Sequence, residues 1–308
     1  MTSATAPGKI ILFGEHAVVY GQPALAAPVT QVFTAVDVTD TLRAGIEVEA
    51  PAVGLHGELR ALPLAHPLRS TVENLFRALG IVSPPYLKIT ITSSIPVASG
   101  LGSGAAVSVA LIRALSAHFG HALDDAQVNA LAYETEKLHH GTPSGIDNTV
   151  ITYGRPVYFV RGELTETFEP GAPFSIVIGD TGVSALTKES VGDVRKLWEA
   201  DKKRWEKVFA KVGKVTKRAT AAIETGKIDK LGALMDENHA LLQAMTVSSP
   251  ELDKLVLMAR AAGADGAKLS GGGRGGNMIA LVRPERAEKV ASALLAAGAR
   301  STITTIIT

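Results

Sequence analysis

The spacing of hydrophobic residues changes period along the chain. Leu87, Ile89 and Ile91 alternate with Lys88, Thr90 and Thr92, the signature of a strand with one buried face. Val32, Thr34, Val36 and Val38 alternate in the same way, and residues 10–13 form a short apolar run, so the first hundred residues read mostly as strands. One helix is inserted among them at residues 70–80, ending on a glycine. From Ser103 the period lengthens. Val107, Leu111, Leu115 and Phe119 recur every four residues and predict a helix with a core-facing stripe. Asp124 and Gln127 make a capping-box pair that opens a second helix, with Val128, Leu131, Thr135 and Leu138 on one side. The run NTVITYGRPVYFV, residues 148–160, predicts two strands about a turn at residues 153–156.

Residues 190–245 are helix-rich and charged. A final unit follows, with helix 251–262, strand 267–270, strand 277–282, helix 284–297 and the β-branched strand STITTIIT. This mixture of strands and helices predicts an α+β sandwich. A boundary at EPGAP, near residue 172, would divide 1–172 from 173–308.

Composition narrows the class. With 308 residues, 46% hydrophobic and 20% charged, the chain can bury a core in one large or two medium domains. Lysine and arginine number 31 against 30 aspartate and glutamate, which gives no charge excess for nucleic acid or a membrane surface. The absence of cysteine excludes disulfides, thiolate metal sites and thiol nucleophiles. The first ten residues lack the basic and apolar regions of a signal peptide, and no apolar run approaches the about 18 residues of a membrane span. A cytoplasmic protein is the expectation.

Three glycine-bearing stretches carry the candidate chemistry. In SGLGSGAA, residues 99–106, glycines lead into the helix that opens near Ser103. Unpaired amides and the positive end of the helix dipole then converge on one point, which suits an anion such as phosphate. Two other readings exist: a plain strand-to-helix turn, and the dinucleotide fingerprint formed by Gly100, Gly102 and Ala105 with Asp124 downstream. In that fingerprint the strand runs into the first glycine, whereas here residues 95–99 intervene. The stretch APGKIILFGEHAVVYG, residues 6–21, crowds Lys9, Glu15 and His16 around an apolar strand and a turn; a strand-edge lysine and a turn histidine are the alternative. In KLSGGGRGGNMIAL, residues 268–281, five of the six positions 271–276 are glycine. That exceeds what a hairpin needs and indicates close backbone approach to a ligand.

In this order the three stretches resemble the GHMP kinases over nearly the whole chain. Residues 96–106 are similar to the phosphate loop P-x-x-x-G-L-G-S-S-A-A. Residues 6–21 and EKLHHGTPSGIDNTV, residues 136–150, are similar to the mevalonate kinase branch; galactokinases carry an arginine in place of Lys9 and a GEHTDY-type sequence. The resemblance implies a two-lobed α+β fold, with an N-terminal ribosomal S5 domain 2-like lobe and a C-terminal ferredoxin-like α/β sandwich. It also implies ATP-dependent, Mg2+-assisted phosphorylation of the 5-hydroxyl of (R)-mevalonate, without nucleic acid or membrane partners and with a homodimer left open. Another kinase of the superfamily, such as a phosphomevalonate kinase, and a silent metabolite sensor are the alternatives; Lys9, Glu136 and Asp147 together argue for catalysis.

By this resemblance Asp147 matches the carboxylate that accepts or orients the hydroxyl proton, and Lys9 the lysine paired with it. Pro96, Ser99, Gly100, Leu101, Gly102, Ser103, Gly104, Ala105 and Ala106 match the ATP-binding loop. Glu136 matches the magnesium ligand, with Ser103 a second candidate. His16, Glu15, Thr187, Gly272 and Gly273 fall on the substrate side. Glu136 with His139 and His140 also has metal-ligand spacing, although two histidines at a helix end equally read as capping groups. Two positions depart from the family. Gly104 stands where the family usually has a second serine, and Arg274 replaces a glycine, as a cation for a phosphate or one facing solvent.

Overall fold

The computed structural model describes residues 1–83, 86–96, 99–140, 144–163, 165–184 and 187–308, with the side chains of 138–140, 187 and 188 outside that description. In chain order the first half runs β1 (Thr2–Phe13), β2 (Ala24–Asp40), β3 (Ile46–Ala50), β4 (Leu55–Glu58), α1 (Pro67–Leu79), β5 (Leu87–Ser93), α2 (Ser103–His118), α3 (Asp125–His140) and α4 (Ile146–Tyr153). Then come β6 (Val157–Phe159), β7 (Glu166–Thr167), β8 (Phe174–Asp180), α5 (Thr187–Ala200), α6 (Lys202–Glu224) and α7 (Leu231–Ala244). The chain closes with α8 (Pro250–Ala261), β9 (Gly266–Ser270), β10 (Asn277–Val282), α9 (Ala287–Ala296) and β11 (Ser301–Ile307). These elements form two compact units, Met1–Gly8, Val32–Val97 and Gly102–Gly154 in the first, and Lys9–Gln31, Ala98–Leu101 and Arg155–Thr308 in the second.

In the first unit β5 lies antiparallel to the second half of β2, with Val36 opposite Ile91 and Val38 opposite Ile89. On its other side β5 runs parallel to β3, which pairs antiparallel with β4. Leu87, Ile89 and Ile91 are buried and the residues between them are not, as their alternation predicts. The cap of α3 is reciprocal: the Asp124 N–H donates to Gln127 Oε1 at 3.0 Å, and the Gln127 N–H to Asp124 Oδ1 at 2.8 Å. The stripe predicted for α2 is too narrow. Its Val107 and Phe119 are only half-buried, while Ala105, Ala106, Ser108, Ala110, Ile112 and Ala114 are buried as well. Small side chains let α1, α3 and α4 approach α2 on several sides, so most of its circumference is core.

Residues 148–153 are a helix where the first of two strands was expected. Gly145 (φ 89°) opens α4 and Gly154 (φ 62°) closes it. Thr149 and Val150 are buried, the Thr149 hydroxyl donates to the Gly145 carbonyl at 2.6 Å, and Asn148 Nδ2 donates to Asn129 Oδ1 at 2.6 Å. The β-branched run favours a strand locally, but that preference is context-dependent and burial overrides it. Only β6, beyond Pro156, is extended.

The second unit is built on an antiparallel sheet in the order β11-β8-β10-β9. Ile178 of β8 faces Ile279 of β10 and Ile303 of β11. Every residue of β8, β9 and β10 is buried, so their apolar runs are continuous rather than alternating. Leu252, Leu255 and Val256 of α8 join Val290 and Leu294 of α9 in one core with Val177, Leu269 and Met278. The single turn at residues 17–20 is fastened to this unit by Tyr20, whose ring stacks on Phe209 of α6 at 4.1 Å. Among the described residues no helix is long and apolar enough to cross a membrane.

Candidate active site

Lys9 lies near the middle of β1, where it is 4% exposed, and its N–H donates to the Leu101 carbonyl at 2.9 Å. Two residues on, Ile11 exchanges hydrogen bonds with the Ser270 hydroxyl, its N–H donating at 3.0 Å and its carbonyl accepting at 2.9 Å. This fixes the end of β1 against β9. The chain then turns through Glu15 and His16, and His16 holds φ 59°, a left-handed value uncommon outside glycine.

Glu15 is fully buried, and both carboxylate oxygens are engaged. One receives Lys268 Nζ and the other Asn238 Nδ2 at 3.0 Å. Lys268, on β9, has no exposed side-chain surface; burial pushes its pKa down and the Glu15 charge opposes that. His16 Nε2 is 3.0 Å from the Gly272 carbonyl. Burial lowers the imidazole pKa to about 4, the hydrogen bond to Gly272 opposing and the Arg274 charge reinforcing the shift. The neutral ring therefore carries its proton on Nε2. His16 Nδ1 is buried and accepts nothing from the described residues.

Residues 99–101 and the glycine loop 271–276 meet in this same unit. The Ser99 carbonyl accepts from Asn277 Nδ2 at 2.5 Å. The glycine loop is gripped on two flanks. Gly276 N–H donates to the Val183 carbonyl and Arg274 N–H to the Val247 carbonyl, at 2.9 and 2.8 Å. A Cβ on Gly273, which has φ +74°, would lie 1.9 Å from the Val247 carbonyl oxygen, so only glycine fits.

The helix-start residues of the phosphate loop, Glu136 and Asp147 lie in the first unit. Gly102 (φ 77°) is the N-cap of α2, whose first N–H···O=C bond runs from Ala106 to the Gly102 carbonyl at 2.9 Å. The amides of Ser103, Gly104 and Ala105 thus lack intrahelical acceptors and form an anion-binding helix end. Glu136 of α3 is 4% exposed, and a Cβ at Gly104 would sit 3.8 Å from its Oε1. A buried carboxylate therefore faces the start of α2. Asp147 stands half-buried in the first turn of α4, where the helix dipole favours an anion.

Pro96 is half-buried ahead of the phosphate loop, and Thr187 opens α5 with its side chain outside the described set, as are those of His139 and His140. Arg274 is held by acceptors within the protein that its sequence position does not suggest. Its NH1 pairs with Asp193 of α5 at 2.6 Å and its Nε donates to the Thr246 carbonyl at 3.2 Å, because both acceptors lie within reach of the loop. Sequence reasoning missed Lys268, Asn238 and Asn277. Lys268 carried a signal, since a lone lysine in an apolar strand must find a counter-charge if it is buried. The two asparagines carried none, because their partners are 223 and 178 residues away.

Residues 66–155 match the GHMP kinases N terminal domain and residues 219–300 the GHMP kinases C terminal domain. The chain is 39% identical to a mevalonate kinase of Thermococcus gammatolerans, over 98% of this chain and 95% of the relative. Among solved structures, the L. major mevalonate kinase in complex with R-mevalonate aligns over 100% of this chain and 96% of its own, with TM-score 0.86 and 30% identity. The Methanococcus jannaschii mevalonate kinase aligns over 99% and 96%, with TM-score 0.85 and 25% identity. These similarities span the chain from end to end, both domains are matched, and the chain belongs to the GHMP kinases, in the mevalonate kinase family.

Proposed function

We propose that this chain transfers the γ-phosphoryl group of ATP to the 5-hydroxyl of (R)-mevalonate, giving 5-phosphomevalonate and ADP in the cytoplasm. The observation that carries the reading is the full-length similarity to kinases that act on mevalonate, one of them solved with R-mevalonate bound. The boundary near residue 172 is our division of the chain into lobes; the domain matches fall on either side of it, while the compact units change over at Gly154–Arg155 and count residues 9–31 and 98–101 with the later half.

Phosphoryl transfer needs positioning and electrostatic stabilisation more than covalent chemistry from the protein. In our reading the free amides at the start of α2, with residues 99–102, hold the phosphates. Asp147 accepts or orients the proton of the 5-hydroxyl, and the Lys9 ammonium favours the alkoxide as it develops. His16, Gly272, Gly273 and Thr187 serve the acceptor and the transferred phosphate. Glu15 contributes through its ion pair with Lys268, which holds the turn that carries His16.

The residues present suit Mg2+, which takes few carboxylates and completes its shell with phosphate oxygens and water. Glu136 offers one buried carboxylate beside the α2 start, and Ser103 offers a hydroxyl. Held there by Glu136 and Ser103, Mg2+ would supply positive charge against the negative charge of the transferring phosphate. Gly104 contributes no hydroxyl.

An ADP-release assay with mevalonate, phosphomevalonate, galactose and homoserine offered separately tests the substrate. Mevalonate should lead by at least about tenfold in kcat/KM, or about 1.4 kcal/mol in transition-state binding. A preference for any other acceptor refutes the proposal, and ATP binding without turnover of any acceptor returns the sensor reading.

A further inference from the structure

Arg274 departs from the family's glycine, and the structure gives it three acceptors on two other segments. Its backbone N–H reaches the Val247 carbonyl, its Nε the Thr246 carbonyl, and its NH1 the Asp193 carboxylate of α5 at 2.6 Å. Asp193 is also paired with Lys196 at 2.9 Å, one turn along α5. A second observation points to the same place. Among the described residues only His16, Thr246 and Arg274 hold a positive φ without being glycine. Arg274 belongs to the glycine loop, Thr246 receives the Arg274 side chain, and His16 is bonded to Gly272 of the loop. Strain of this kind persists only where surrounding structure over-determines it, and it gathers at functional sites. The loop end also fixes the phosphate loop, through Asn277 Nδ2 on the Ser99 carbonyl.

We infer that Arg274 is a positioning residue, a rivet that ties the glycine loop to α5 and to the residue 246–247 segment and so holds the loop in its substrate-competent form. The inference rests on the reading of this loop as the acceptor side of a mevalonate kinase. A polyglycine segment samples many conformations, and a ligand that needs one of them binds with an apparent affinity reduced by the fraction in that form. Arg274 raises that fraction. Its loss therefore weakens binding while leaving turnover at saturation nearly intact, since bound substrate selects the competent loop.

The test is a set of loop variants under steady-state kinetics, with hydrogen exchange of residues 271–277 measured on the protein alone. Arg274→Ala, which keeps a strained backbone without the tether, should raise KM for mevalonate about fivefold with kcat within twofold of the parent. Arg274→Gly relieves the left-handed strain and should be less impaired, and Arg274→Lys, which can still reach Asp193, should recover most of the loss. Asp193→Asn, at a partly exposed helix position, should raise KM in the same direction, and adding it to Arg274→Ala should cost little more. Loop amides should exchange faster in Arg274→Ala without any substrate present. Unchanged exchange overturns the rivet, as does a KM equal to the parent's or a double variant whose losses simply multiply. Faster exchange in a protein that ignores mevalonate would instead keep the rivet and refute the assignment of substrate.

Discussion

Acidification should destabilise the second unit through two buried histidines. His16 and His239 both have pKa values lowered to about 4 from 6.5, burial being the leading cause in each. His239 is 4% exposed, accepts the Leu269 N–H on Nδ1 at 3.3 Å, and has Nε2 3.2 Å from Asp253 Oδ1, off the line of a good hydrogen bond. Asp253 raises its pKa, while Lys268 and Arg260 lower it, without reversing the effect of burial. Between pH 6.5 and 4 the unfolded chain takes protons on these rings that the folded chain refuses. Stability is therefore full above about pH 6.5 and is lost as pH falls towards 4. From pH 7 to pH 5 each histidine should remove about 2 kcal/mol, or roughly 5 °C in Tm for a unit of this size. The carboxylates with lowered pKa values, Glu49, Asp193 and Glu251, lose their contribution mainly below the ordinary carboxylate values of 4.5, 3.8 and 4.5, so they act mostly outside this window. His239→Asn keeps an acceptor for the Leu269 N–H and removes one titration. Calorimetric Tm values at pH 7 and pH 5 should show the variant losing about half as much stability as the parent over that interval. An identical loss in both proteins would show that His239 takes up its proton without unfolding, and the argument from burial would fail.

Asp147→Asn should keep its circular dichroism and bind both substrates within a few-fold of the parent, while kcat falls at least about a hundredfold; more than a tenth of the parental single-turnover rate would move the proton elsewhere. Glu136→Gln should raise the magnesium requirement steeply in an ADP-release titration. Gly104→Ser, whose Cβ meets Glu136 Oε1 at an ordinary 3.8 Å, should leave it unchanged or lower it; parental behaviour of Glu136→Gln would refute the ligand assignment. Lys268→Met leaves the Glu15 charge buried without its counter-ion and should cost about 3–5 kcal/mol in denaturant unfolding. Adding Glu15→Gln should restore part of that, and a double variant no better than the single would show that the pair is not the source of the loss.

What could be read from the chain beforehand was whatever its neighbours in sequence decide. The alternation in β5, the Asp124–Gln127 cap and the bounds of β10 depend on residues a few positions apart, and the structure has them as expected. The motif stretches likewise carry their glycine turns locally. What depended on distant partners stayed hidden. The burial of α2 on several sides needs three other helices, and α4 overrode a β-branched run because residues 148–152 are all buried. The Glu15–Lys268 pair joins residues 253 apart, and no local pattern marks Glu15 as already engaged. Arg274 looked available because Asp193, its partner, lies 81 residues upstream.

The two long strands have a consequence for how the chain is made. β1 and β2 each start in one unit and finish in the other. On the ribosome, residues 9–31 emerge early, yet apart from the short stretch Ala98–Leu101 the rest of their unit begins only at Arg155. At 5–20 residues per second the delay before that unit is complete is on the order of tens of seconds. Throughout it Leu12, Phe13 and Leu25, all buried in the finished protein, have nothing from the later half to cover them. The first unit, by contrast, has all its residues once Gly154 is out. Synthesis therefore holds an apolar segment in waiting that a holding chaperone can recognise. No single cut of the chain frees the second unit, since a fragment starting at Arg155 would bury Lys268 without Glu15.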